Sequence, residues 1–164
     1  MIVALGLELS AETDVAAIAV AGPDGRGHKA DVVFYGSSDA VTGECARIYD
    51  STENCGLFLD PWPCAGILDG LRAAGIWLHE MSPEDVSAAA WQYTTELRGR
   101  RVKLGEHPAL KAAMRSAIPR PLATRFAFER RRVPSDQSPL NACAFALWGS
   151  RRNEAAAQPG VWAF

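Results

Sequence analysis

The order of hydrophobic patterns predicts an α/β fold built on a mixed sheet. Three observations lead there. Three strand-like apolar runs follow one another at short spacing within the first 35 residues. Further on, strand-like and helix-like segments alternate. The final third is helical in pattern, with prolines at helix starts. A meander followed by a strand–helix–strand unit calls for antiparallel strands continued by parallel ones.

Each element has a local reason. Ile2–Leu9 (IVALGLEL), Val15–Ala21 (VAAIAVA) and Ala30–Tyr35 (ADVVFY) read as strands. The Gly22-Pro23-Asp24-Gly25 cluster marks the turn between the last two. Asp39–Tyr49 is a helix candidate weakened by Gly43. Gly56–Asp60 (GLFLD) is a short buried strand ending on an acid, and Pro61, Trp62 and Pro63 are expected to block an immediate helix. Cys64–Ala74 places Ile67, Leu68 and Leu71 on one helical face, with Gly75 at the C-cap, before the strand Ile76–His79. Ser82, Pro83 and Asp85 then form a helix-start signature ahead of an apolar stripe of Val86, Ala90, Tyr93 and Leu97. Arg98–Lys103 reads as a basic connection. Pro108 opens a helix that Pro119 and Pro121 end, and Phe126–Glu129 is a short extended piece. Ser138 and Pro139 start a last helix through about Trp148, and the tail frays or folds back through Trp162 and Phe164. The predicted division is one domain over 1–149 and a tail over 150–164.

Composition narrows the function classes. At 164 residues, 48% apolar and 22% charged, the chain suits one globular core and excludes a disordered, collagenous or coiled-coil rod protein. No apolar run reaches a membrane span, and no basic flank precedes the N-terminal apolar segment, so an intracellular protein is expected. Cys45, Cys55, Cys64 and Cys143 are scattered without metal-site spacing, as expected of reduced core residues. Charge is segregated. Residues 1–97 hold four basic and fifteen acidic side chains, whereas residues 98–132 hold eleven and two. Such a split fits a polyanion partner, an internal electrostatic match, or an arginine-rich solvated face.

Three carboxylates stand where burial would need a reason. Glu8 lies within the first apolar strand, on the face of Ala4 and Gly6. Asp60 ends the strand GLFLD, where open α/β sheets bind ligands. Asp136 precedes the last helix by two residues. Singly, each is an ordinary turn or cap acid. Together they would repel unless cations sat among them, and such oxygen donors suit magnesium or manganese.

Four segments resemble the nuclease domain of tailed-phage terminase large subunits, a ribonuclease H-like fold. They are GLELSAETDVAAIAVAG, LFLDPWPCAGILDGLRAAGIWLHEMSPEDVSAAA, LGEHPALKAAMRSAIPRPLATRFAFERR and VPSDQSPLNACAFALWG, which together run from about residue 2 to 149. The resemblance implies a catalytic, metal-binding triad of Glu8, Asp60 and Asp136, holding one or two Mg2+ or Mn2+ ions for phosphodiester hydrolysis. Glu8 departs from the family's usual aspartate by one methylene. The implied partner is double-stranded DNA. Arg98, Arg100, Arg101, Lys103, Arg130, Arg131 and Arg132 would hold its phosphates, the last three most directly. Further implied partners are a packaging ATPase domain, a portal and a small terminase subunit, in host cytoplasm and without a membrane. His107 matches a family histidine and is expected to start a helix rather than act as a base. Glu12 and Asp14 neighbour Glu8 and read as helpers to it or, more simply, as hairpin-turn acids, and Trp62 reads as a lid over the site or, more simply, as packing. No G-x-x-x-x-G-K-[ST] loop occurs, so the chain has no Walker-type ATPase motif. It reads as an excised domain or as a stand-alone nuclease-like product. Two other readings keep the fold: an impaired DNA-binding or motor-docking module, and a resolvase-like nuclease.

Overall fold

The computed structural model describes residues 1–157, and both the meander and the crossover are present. Strands β1 (Val3–Leu9), β2 (Val15–Asp24) and β3 (Gly27–Ser37) pair antiparallel in sequence order. Strand β4 (Asn54–Leu59) returns parallel to β1, and β5 (Leu78–Glu80) lies parallel to β4. The β2–β3 hairpin is longer than its hydrophobic runs suggest. Pro23 stays in the ladder opposite His28, and the turn tightens at Gly25, whose φ of +61° suits a residue without Cβ. A sixth strand, β6 (Val102–Leu104), joins parallel to β3, where the sequence reads only a basic connection. Three residues, the middle one Lys103, are too few to show alternation. The sheet order is β5-β4-β1-β2-β3-β6.

Helices cover both faces. Helix α1 (Val41–Ser51) and the turns α2 (Pro61–Cys64) and α3 (Leu68–Ala73) pack with Leu5, Leu7, Ile18, Leu57 and Leu59. The prolines after Asp60 do not delay the helix. Asp60 Oδ1 accepts from Trp62 N at 3.1 Å, and proline at a first helical turn loses no bond it would otherwise make. The opposite face meets α4 (Pro83–Arg98), α5 (Pro108–Ser116) and α6 (Ser138–Ala157). Ser82 and Asp85 form the expected capping box on α4, which contributes about 1 kcal/mol.

Helix α6 runs on past Trp148 to Ala157, and the expected fold-back at Trp162 and Phe164 lies outside the described residues. It sits hard on the sheet. A Cβ at Gly6 would come within 2.0 Å of Ala142 O, and the β2 residues facing the same way are Ala17, Ala19 and Ala21. The small side chains let helix backbone approach strand backbone.

A two-stranded ribbon, β7 (Pro119–Leu122) with β8 (Arg125–Phe128), stands apart from the main sheet. Its prolines are tolerated in a ribbon with free edges, which is why the reading of a proline-terminated helix missed β7. All four cysteines are free, three of them buried. Among the described residues no helix is long and apolar enough to cross a membrane.

Candidate functional site

A row of side chains crosses one face of the sheet at the C-terminal end of β1. Leu7 pairs with Leu59, so Asp60 follows directly beside Glu8. Glu8 in turn pairs with Ala17, and Ala17 with Tyr35. The row is therefore Asp60, Glu8, Ala17, Tyr35. A bulge at Val33 makes this possible, because it lets both Val32 and Tyr35 face the α6 side although they are three residues apart.

Glu8 and Asp60 are buried and share one cation, the guanidinium of Arg130. Its Nη2 lies 2.6 Å from Glu8 Oε1 and 2.8 Å from Asp60 Oδ2, and its Nε donates to the same Glu8 oxygen at 2.9 Å. Asn141, on the first turn of α6, donates to the other Glu8 oxygen at 2.6 Å. Burial raises the pKa of Glu8 and Asp60 adds to it, against the pull of Arg130 and Asn141. Burial opposes the charge of Arg130, but Glu8 and then Asp60 overcome it and hold its pKa above the ordinary value. Cys64 lies close by, and burial pushes its thiol up to about 12, so it is no nucleophile at neutral pH.

Asp136 is not part of that cluster. Its Oδ2 accepts from Ser138 Oγ at 2.6 Å and from Tyr35 Oη at 3.1 Å, and its Oδ1 accepts from Ser138 N at 3.2 Å. Burial and the Asp136 carboxylate together push the Tyr35 phenol up to about 12. Asp136 thus fastens the start of α6 to the far end of the row. Among the described residues no three His, Cys, Asp or Glu side chains are grouped to hold a metal ion.

The donor set fits one hard cation and not a three-acid cage. Glu8 and Asp60 present two oxygens to a single nitrogen, which marks one position suited to a positive charge. A divalent ion with oxygen ligands at about 2.1 Å is compatible with that pair once Arg130 withdraws. Asp136 is held elsewhere by its own hydrogen bonds.

The basic residues divide into two groups. Arg130, Arg131 and Arg132 lie beside the acids, on the segment between β8 and α6. Arg132 N donates to Glu12 Oε1 at 2.7 Å, so Glu12 fastens this segment to the β1–β2 turn. Arg98, Arg100, Arg101 and Lys103 are at the other end of the sheet. Lys103 pairs with Lys29, six residues before Tyr35 on β3, which puts it about 20 Å from the acid row. Lys103 Nζ bonds Asp24 at 3.0 Å, and Arg101 Nε bonds Glu96 at 3.3 Å. The expectation that all seven flank one site does not match this placement, because the unforeseen β6 carries Arg98, Arg100, Arg101 and Lys103 to the far end. His107 is a helix cap, its Nδ1 accepting from Ala109 N at 3.2 Å. Trp62 is not packed: 85% of its surface is exposed. Sequence reading missed Asn141 and Tyr35. The signal for Asn141 was present, a polar residue inside the otherwise apolar run Pro139–Trp148.

No family model matches the chain, and no curated protein matches it significantly. Solved structures do. The HK97 bacteriophage large terminase is 17% identical with a TM-score of 0.71 over 90% of this chain. The large terminase nuclease of thermophilic phage G20c is 14% identical, with a TM-score of 0.67 over 88% of this chain and 80% of its own. The Thermus phage P74-26 large terminase nuclease domain is 12% identical, with a TM-score of 0.61 over 88% of this chain and 77% of its own. The chain spans 39% of the HK97 protein's length. At these identities the likeness shows the fold: this chain has the ribonuclease H-like architecture of terminase nuclease domains.

Proposed function

We propose that the protein is a divalent-metal-dependent endodeoxyribonuclease that cuts double-stranded viral DNA during genome packaging. The observation that supports this reading is the buried pair Glu8 and Asp60, side by side at strand ends and aimed at one cation position. The shared fold with terminase nucleases supports it further.

Glu8 and Asp60 would hold Mg2+ or Mn2+. When bound there, such an ion would supply Lewis acidity toward the phosphate and the attacking water. Asn141 orients Glu8 by fixing its second oxygen. Arg130 exchanges partners, leaving the carboxylates for a phosphate oxygen of the DNA, with Arg131 and Arg132 beside it. Asp136 would join the pair as a third acid only on giving up its bonds to Tyr35 and Ser138. In its bonded position it steadies the Arg130 segment through Tyr35 and Ser138. A packaging ATPase, a portal and a small terminase subunit belong to the same proposal.

Two observations favour a second reading, a DNA-binding module without activity. A guanidinium already satisfies the acid pair, and Glu8 is longer than the family's aspartate. Nicking of supercoiled plasmid in Mg2+ or Mn2+ separates the two. The nuclease reading expects wild-type nicking, loss of detectable activity in Asp60→Asn, and retained DNA binding. An inactive wild type favours the module, and full activity in Asp60→Asn removes these acids from the reaction.

A further inference from the structure

We infer that Trp62 forms a stacking subsite for an unpaired DNA base next to the cut, so that the preferred substrate is DNA with a locally opened duplex. This inference rests on the nuclease reading above and names the form of its substrate.

The indole sits two residues beyond Asp60, on α2, and is 85% exposed. Nothing in the fold requires this. The turn is fixed by Asp60 and the flanking prolines, and its buried anchor is Cys64. An exposed tryptophan leaves a large apolar face in water. Here that face borders an open cleft of about 420 Å3 whose other walls include Ser10, Arg120, Glu129, Arg130 and Arg131. Arg120 and Arg131 against Glu129 leave the cleft mildly basic, and Arg130 adds its charge once it leaves Glu8 and Asp60. Arg130 is common to the cleft and to the acid pair, so a phosphate held by Arg130 has its nucleoside beside the indole. Flat aromatic surface next to phosphate-binding arginines is the chemistry that takes a nucleotide out of a helix, since every base has a π-face and a paired base keeps both of its faces stacked. The charge of the walls favours a nucleic acid over an apolar protein segment.

The test uses two oligonucleotide duplexes, one fully paired and one with two unpaired nucleotides. In each, one adenine is replaced by fluorescent 2-aminopurine, placed in the unpaired stretch of the second. Ca2+ replaces Mg2+ to permit binding without rapid cleavage. Wild type should quench the unpaired probe and prefer that DNA. Trp62→Ala should lose the quenching and bind the opened duplex roughly 10-fold more weakly, with less than about a twofold change on the paired duplex. Trp62→Phe should keep most of both. The indole supports no packing, so circular dichroism and melting of Trp62→Ala should match wild type. Wild-type binding without preference for the opened DNA overturns the subsite and leaves the nuclease reading standing. Trp62→Ala binding both duplexes as wild type does also overturns it, and assigns the indole to a protein contact instead. Failure to bind either DNA overturns both readings.

Discussion

The two ends of the sheet solve the same electrostatic problem with opposite stoichiometry. At one end a single arginine, Arg130, serves two buried carboxylates, Glu8 and Asp60. At the other, two arginines converge on one carboxylate, Glu96, and one of them, Arg151, also reaches Glu154. Glu96 Oε2 accepts from Arg151 Nη2 at 2.6 Å and from Arg101 Nε at 3.3 Å. The consequences for the acids diverge. Burial works against ionisation at both, yet the paired arginines hold Glu96 below the usual carboxylate range while Glu8 stays above it. Glu96 is satisfied by its two arginines and reads as structural. The Glu8 end is one positive charge short, which is the property of a site that admits another cation.

The largest expected effect comes from removing the lone arginine. Without metal, Arg130→Gln leaves two buried carboxylates facing each other and should cost about 3 kcal/mol. Added Mn2+ should raise its melting temperature more than it raises that of wild type. Equal shifts, measured by thermal denaturation against an EDTA control, would mean the acid pair takes no ion. Glu96→Gln should come next, costing about 2 kcal/mol. Its loss should be insensitive to Mn2+, and plasmid nicking should stay at the wild-type rate.

Acid titration sharpens the contrast through its sign. Glu96 has a depressed folded pKa, so its contribution is present above the ordinary value of 4.5 and is lost as pH falls toward the folded one. The stability gap between wild type and Glu96→Gln should therefore close in acid. Glu8 has a raised folded pKa, so its contribution is present below 4.5 and is lost as pH rises through the folded one. Relative to wild type in EDTA, Glu8→Gln should gain as pH rises from 4.5 toward neutrality, as denaturant melts across that range would show. The smallest effect is expected at the far surface. Arg98→Ala, Arg100→Ala and Lys103→Ala combined should alter nicking by less than about twofold. Arg131→Ala with Arg132→Ala should flatten the salt dependence of DNA binding by up to about two units.

Most of the fold was legible because it is written in local signals. The meander, the crossover, the Ser82–Asp85 box and the proline-opened helices each depend on neighbours within a few positions. What escaped depends on distance. Strand β6 exists because β3 offers an edge, and nothing in Val102–Leu104 announces that. The acids Glu8 and Asp60 were legible as polar intrusions into apolar strands. The role of Arg130 between them was not, because it lies 122 residues from Glu8 in the chain. Asp136 looked like a member of the set by order and spacing, yet Tyr35 and Ser138 take up its oxygens. Trp62 reads as packing or as a lid, and deciding against packing takes the fold, which leaves the indole exposed.

The glycine at position 6 gives the site one jaw built on backbone contact, opposite another built on side-chain bonds. Backbone rests on backbone where α6 crosses β1, so the anvil bearing Glu8, and the Asn141 that steadies it, has no play. Asp60 is clamped to that anvil by the ladder between β4 and β1. Whatever opens the acid pair must then travel through the other jaw, the stretch from Glu129 to Asp136. That stretch holds Arg130, turns through a left-handed residue at Arg132, and is fastened by Glu129 N to Ile118 O at one end, by Arg132 N to Glu12 in the middle, and by Tyr35 and Ser138 to Asp136 at the other end. An enlarged side chain at position 6 would loosen the jaw meant to stay still, and the grip would be lost from beneath rather than released from above.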